Sequence, residues 1–211
     1  MRRALVLLVA ALTAGELGAQ ALRPTGSASL VTARVRSAVP AGIDQFTGSA
    51  FLGQGALAMG RVELSVSYLQ GTLNPDGGSA AGRDLVEGTV LLGVRALDWL
   101  TLEGGPHARA YTLAGSTQRW LFWELRARAA TAFVGSAAQG YVELWRALAA
   151  DANVPEPFDH AQGGEVGMIL RVARAPLSAR VGYRIDHAVL GGGTRLETVD
   201  GVVIGVGLAW R

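Results

Sequence analysis

Apolar and polar residues alternate with a period of two along most of the chain. From Arg61 to Leu69, Val62, Leu64, Val66 and Tyr68 share one face, and Arg61, Glu63, Ser65 and Ser67 share the other. Leu177, Ala179, Val181, Tyr183 and Ile185 alternate in the same way with Ser178, Arg180, Arg184 and Asp186. Leu121, Trp123 and Leu125 alternate with Glu124, Arg126 and Arg128. Successive side chains of a strand point to opposite faces, whereas a helix needs apolar spacings of three and four. These runs therefore predict strands. Ten segments carry the pattern, near residues 27–37, 46–58, 61–72, 83–95, 99–111, 119–132, 137–149, 163–174, 177–188 and 195–210. Glycines blur the second, and in the seventh Glu143 and Arg146 fall on opposite faces. The expectation is an all-β antiparallel chain of ten strands, or of eight if those two segments are not strands.

The connections between these segments alternate in length. Polar or glycine-rich stretches near 37–45, 74–82, 112–118, 150–162 and 189–194 are long, 134–138 is intermediate, and Met59-Gly60, Leu97-Asp98 and Ala175-Pro176 are tight turns. Long loops gathered on one side of an up-and-down meander are the arrangement of a transmembrane β-barrel. The segment lengths agree: ordinary strands run to five or six residues, whereas a tilted membrane strand needs ~9–11.

Alternation alone does not say which face looks inward. A membrane barrel turns its apolar face to lipid, and a soluble lipid carrier does the reverse. The 211-residue chain has no lysine, so its 19 cationic side chains are all arginine, set against 17 carboxylates. The planar arginine fork pairs well with an enclosed carboxylate, which favours a charged lumen. A GC-rich gene produces the same bias. Trp99, Tyr111, Trp120, Trp123, Tyr141 and Trp210 lie near strand ends, where an interfacial girdle uses aromatics. There is no cysteine, which removes zinc–thiolate sites, disulfides and thiol nucleophiles. High apolar content and a net charge of +2 argue against disorder and against a polybasic nucleic-acid surface.

The first residues read as an export signal. Met1-Arg2-Arg3 precedes an apolar run from Ala4 to Ala14, and Ala19-Gln20-Ala21 has the form of a cleavage site. The run is too short to span a bilayer. Residues 1–21 are thus an expected signal peptide and 22–211 the expected barrel domain.

The last strand adds a resemblance. Gly205-Val206-Gly207-Leu208-Ala209-Trp210 resembles the C-terminal assembly signal of bacterial outer-membrane β-barrels, in which a glycine precedes alternating hydrophobics that end in an aromatic. Gly205, Leu208 and Trp210 fit; Val203 replaces a usually polar residue, and Arg211 follows the aromatic. The resemblance is one of architecture over residues 27–211 and names no subfamily. It implies a porin-like protein of a Gram-negative outer membrane, with periplasmic termini and five loops outside. It also implies outer-membrane lipid and the barrel-assembly machinery as partners.

If the charged face lines the lumen, Arg34, Arg36, Arg61, Arg95, Arg109, Arg126, Arg128, Arg171, Arg180 and Arg184 point in. So do Glu63, Glu87, Glu103, Glu124, Glu143, Glu165, Asp186 and Glu197. Enclosed charges need partners, so these residues either fill the barrel or leave a narrow wet path. An adhesive role would fall to the 150–162 loop.

Catalytic constellations are sparse. Glu103 and His107 lie four residues apart on one strand, ~13 Å, too far to share a proton. A rim protease of the ten-stranded omptin type uses an Asp–His pair, yet Asp186 and His187 are adjacent and so face opposite sides of a strand. No histidine has a serine two residues away, as a lipid A deacylase needs. Gly191-Gly192-Gly193 lacks the residues of a phosphate loop. No enzyme, metal site or cofactor is expected.

Overall fold

The structure, a computed structural model, describes residues 22–77, 81–113, 115–135 and 137–209. The expected signal segment 1–21 and Trp210 of the expected assembly signal lie outside the described residues. The strands are β1 (Arg23–Val39), β2 (Gly42–Met59), β3 (Val62–Pro75), β4 (Arg83–Leu97) and β5 (Leu100–Leu113). They continue as β6 (Ser116–Val134), β7 (Ala138–Ala152), β8 (Phe158–Arg171), β9 (Leu177–Leu190) and β10 (Arg195–Ala209). Each strand pairs antiparallel with its sequence neighbours, and β1 also pairs with β10, so the sheet closes into a barrel. Closure leaves no edge strand, and backbone polar groups find partners within the wall, as a bilayer requires. Both ends of the described chain lie at one mouth, here the terminus end; the β1–β2 and β9–β10 connections lie at the loop end.

All ten expected segments are strands. β2 is irregular in sequence because both its faces carry apolar groups: Phe46, Ala50 and Leu52 are buried, while Phe51 and Leu57 are exposed. In β7, Trp123 pairs with Ala149 and Glu124 with Ala147, which leaves Leu148 unpaired. This bulge shifts the alternation, so Trp145 and Ala147 share a face with Ala150 and Ala152.

The loops depart from expectation. β1 and β2 pair as far as Val39 and Gly42, so the expected 37–45 loop is the two-residue turn Pro40–Ala41. The expected 150–162 loop shrinks to 153–157, because β7 continues to Ala152 and β8 begins at Phe158. Residues that read as loop, because Pro40 and Gly42 break the alternation or because the segment is polar, continue the hydrogen-bonded ladder instead.

The apolar face looks outward. Leu30, Leu144, Leu148, Ile204 and Val206 are 61–70% exposed, whereas Glu87, Glu103, His107, Arg109, Glu124 and Asp186 are at most 5% exposed. An apolar surface of this extent belongs in lipid. A soluble carrier requires the reverse. The aromatic girdle is only partly as expected: Trp99 and Trp123 face out, but Tyr111, Trp120 and Tyr141 are buried in the interior. Inward-facing glycines make room for the large interior rings. A Cβ on Gly182 would meet the Tyr141 hydroxyl at 2.5 Å, and one on Gly163 would meet Trp145 Nε1 at 2.6 Å.

Candidate functional site in the barrel interior

The interior is layered. Toward the loop end, Phe46, Leu73, Leu85, Tyr111, Trp120, Phe122, Trp145 and Leu190 form an apolar septum, with Val154 and Phe158 packed on it. Trp120 and Trp145 lie 6.0 and 6.1 Å from Phe122 between ring centroids. Arg83 stacks its guanidinium 3.5 Å from the Phe46 ring. These residues come from strands all round the barrel, so the septum crosses the whole bore.

Beneath the septum lies a belt of charge. Arg109 donates from Nε to Glu87 at 2.7 Å and from Nη2 to Asp186 at 2.6 Å. Arg184 Nη2 donates to Glu87 at 2.8 Å and to Asp186 at 2.5 Å. Trp145 Nε1 donates to the other oxygen of Asp186 at 2.8 Å. β9 is a neighbour of neither β4 nor β5, so this square of two arginines and two carboxylates spans the bore. His107 joins the belt to the septum. Its Nδ1 lies 2.9 Å from Glu124, and its ring meets Trp145 edge-on at a centroid distance of 5.8 Å. Arg126 binds Glu124 at 2.7 Å and Glu143 at 3.2 Å.

Two further links lie nearer the terminus end. Arg128 reaches Glu63 at 2.7 Å, from β6 to β3. Arg180 on β9 bonds Glu165, Tyr141 and, across the bore, Gln54 of β2. Glu103 is buried and forms no ion pair among the described residues. A cavity of about 50 Å³ lies between Glu87, His107, Arg126, Glu143, Arg184 and Asp186, room for a few waters.

Of the residues expected to line the lumen, Glu63, Glu87, Glu103, Arg109, Glu124, Arg126, Arg128, Glu143, Glu165, Arg180, Arg184 and Asp186 lie in this layered interior. Others stand elsewhere. Arg61 is exposed in the two-residue β2–β3 turn, Arg95 is exposed beside the β4 bulge, and Arg171 is exposed at the end of β8, bonded to Gln139. Arg34 and Arg36 point outward, because Val31, Ala33 and Val35 take the interior positions of β1. The expected excess of interior arginine is thus reversed: carboxylates outnumber arginines between the septum and the terminus end. The septum was missed altogether, although Trp120 and Phe122 share the alternation of Glu124 and Arg126, which places them on the charged face.

No family model matches the sequence, and no curated protein matches it. Solved structures do. The outer membrane protease OmpT from Escherichia coli superposes with a TM-score of 0.62 at 7% identity, over 90% of this chain and 96% of that one. An outer membrane channel from Pseudomonas putida F1 gives 0.52 at 9% identity, over 94% and 98%. The fold is that of the bacterial outer-membrane β-barrels. At these identities the likeness is one of fold alone, and the chemistry must be read from this barrel's own residues. In this barrel Asp186 points inward and is held by Arg109, Arg184 and Trp145. His187 faces outward, with Nδ1 3.2 Å from the Thr198 hydroxyl. Gly205 of the expected assembly signal packs inward against Ser29 of β1, and Leu208 faces out.

Proposed function

We propose that this protein is a closed outer-membrane barrel whose charged interior is a structural core and not an ion path. The supporting observation is the square of Arg109, Arg184, Glu87 and Asp186, which ties opposite walls together directly beneath an aromatic septum. Buried arginines and carboxylates persist only when paired, and here the pairing takes up the space that a pore needs. The narrow-pore alternative requires both layers to part. Gly205 and Leu208 serve, in the same proposal, as part of the signal read by the assembly machinery. The test is conductance in planar bilayers, after protease protection has established insertion. Inserted protein is expected to be electrically silent. Discrete current steps from inserted protein would overturn the proposal and make the Arg–Glu belt a conduction path.

A further inference from the structure

The outer wall carries a charge cluster that a lipid-facing surface does not need. β1 presents Arg34 and Arg36 outward on its loop-end half. Asp200 of β10 lies under both, 3% exposed. Arg34 donates from Nε at 3.2 Å and from Nη2 at 2.7 Å to its two oxygens. Tyr183 donates its hydroxyl at 2.9 Å, and Arg36 Nη2 reaches Asp200 only at 3.4 Å. The arginine side chains remain 44% and 41% exposed; Arg36 Nε is unpaired but covered, and neither Nη1 has a hydrogen-bond partner among the described residues. One covered carboxylate therefore holds two half-exposed guanidinium groups that keep Nη1 donors unused. Asp76, a carboxylate near Arg34, is bound by Thr47 and Gln45 and forms an ion pair with neither arginine.

A second feature lies on the same strands, toward the terminus end. There the outer wall is concave, forming an apolar groove of about 560 Å³ between Leu30, Phe51, Met168, Val181, Ile204 and Val206. Ala28 and Ala179 keep it open, because larger side chains at these positions would fill it. Leu30 is four residues from Arg34, ~13 Å along the strand.

We propose that this wall binds a phosphate-bearing lipid of the surrounding bilayer. Its phosphate oxygens take the open donors of Arg34 and Arg36, and an acyl chain lies in the groove. The arginine fork matches phosphate geometry, and charge complementarity selects an anionic headgroup over a neutral one. The groove lies within the apolar belt, where the occupants available are acyl chains. A second copy docked there about a two-fold axis would set its own arginines against these. The inference needs the barrel to sit in a bilayer and does not depend on whether its lumen conducts.

Native mass spectrometry of the purified protein in maltoside micelles tests it, with dimyristoylphosphatidic acid, dimyristoylglycerol and inorganic phosphate as probes. Phosphatidic acid should be retained about tenfold more strongly than the diacylglycerol, which has the same chains and no phosphate. Arg34→Gln/Arg36→Gln should lower that retention by about tenfold. Ala179→Trp, which fills the groove and spares the arginines, should lower it as well. Equal retention of the two lipids would overturn the proposal. So would unchanged binding in Ala179→Trp, which decides the matter if the arginine variant does not fold. Inorganic phosphate held as tightly as the lipid would reduce the site to an anion contact, and a bound second chain would make it an interface; either result overturns the lipid assignment. Protein that stays soluble without detergent would overturn the membrane placement itself.

Discussion

Asp186→Ala removes the residue on which the cross-bore square depends. Asp186 accepts from Arg109, Arg184 and Trp145, and all three donors lie in the interior. Without it, two arginines share Glu87 alone, with side chains only 4% and 16% exposed. Removing one partner of a buried ion pair costs ~3–5 kcal/mol. Orphaning the Trp145 N–H adds ~1–3 kcal/mol. Glu87 still compensates part of the charge, so a net loss of about 4 kcal/mol is expected. The comparison variant is Arg171→Gln at the end of β8, where an exposed side chain bonds only Gln139 and the change should cost no more than about 0.5 kcal/mol. Equilibrium urea unfolding from lipid vesicles, followed by tryptophan fluorescence and by gel mobility of unheated samples, measures both. The expected outcome is a midpoint shift several times larger for Asp186→Ala. Equal, small shifts would refute the reasoning, because they would mean a hydrated bore whose walls are not tied together.

Other expectations follow from the same geometry. Phe122→Ala should cost ~3–5 kcal/mol in the same assay, because it empties the middle of the septum, whereas Trp123→Ala on the lipid face should cost far less. Gly182→Ala puts a Cβ 2.5 Å from the Tyr141 hydroxyl and 2.8 Å from Glu165; it should destabilise by ~1–3 kcal/mol, with Tyr141→Phe/Gly182→Ala recovering part of the loss. At the loop end, hydrogen bonds from Thr47 and then Gln45 hold the Asp76 carboxyl below its ordinary range. A depressed value in the folded state means that this contribution is present above the unfolded pKa and is lost as pH falls through the folded one. Thr47→Val should move the Asp76 titration upward in a carboxyl-carbon NMR experiment.

The ten strands were legible because the pleat forces a period of two, and a wall between lipid and a charged interior turns that period into a hydropathy signal. Where both sides of the wall are apolar, as in β2 at Phe46 and Phe51, the signal fades. Where a bulge inserts one residue, as at Leu148, it changes phase. Loop lengths were not legible, because Pro40 and Gly42 interrupt Ser37 to Gln45 and Asp159 to Gln162 is largely polar, yet most of these residues continue the ladder. The charged belt was visible as a set of residues but not as a set of pairs, because Arg109–Asp186 and Arg180–Gln54 join strands distant in sequence. Arg34 and Arg36 were placed on the wrong face by the assumption that charge goes inward. The three small or branched residues Val31, Ala33 and Val35 hold the interior positions of β1, and Asp200 compensates the arginines outside.

The most direct measurement compares two tryptophans three residues apart on β6. Trp120 is 2% exposed within the septum, and Trp123 is 57% exposed on the outer wall. Single-tryptophan variants folded into vesicles of brominated lipid report which ring touches the acyl chains. Strong quenching of Trp123 and little of Trp120, with neither quenched by aqueous iodide, is the result expected of a barrel closed by an aromatic septum. Quenching of Trp120 by iodide would mean a water-filled bore at that level, and quenching of Trp120 by lipid would mean that the two faces are reversed; either result contradicts the closed barrel described here.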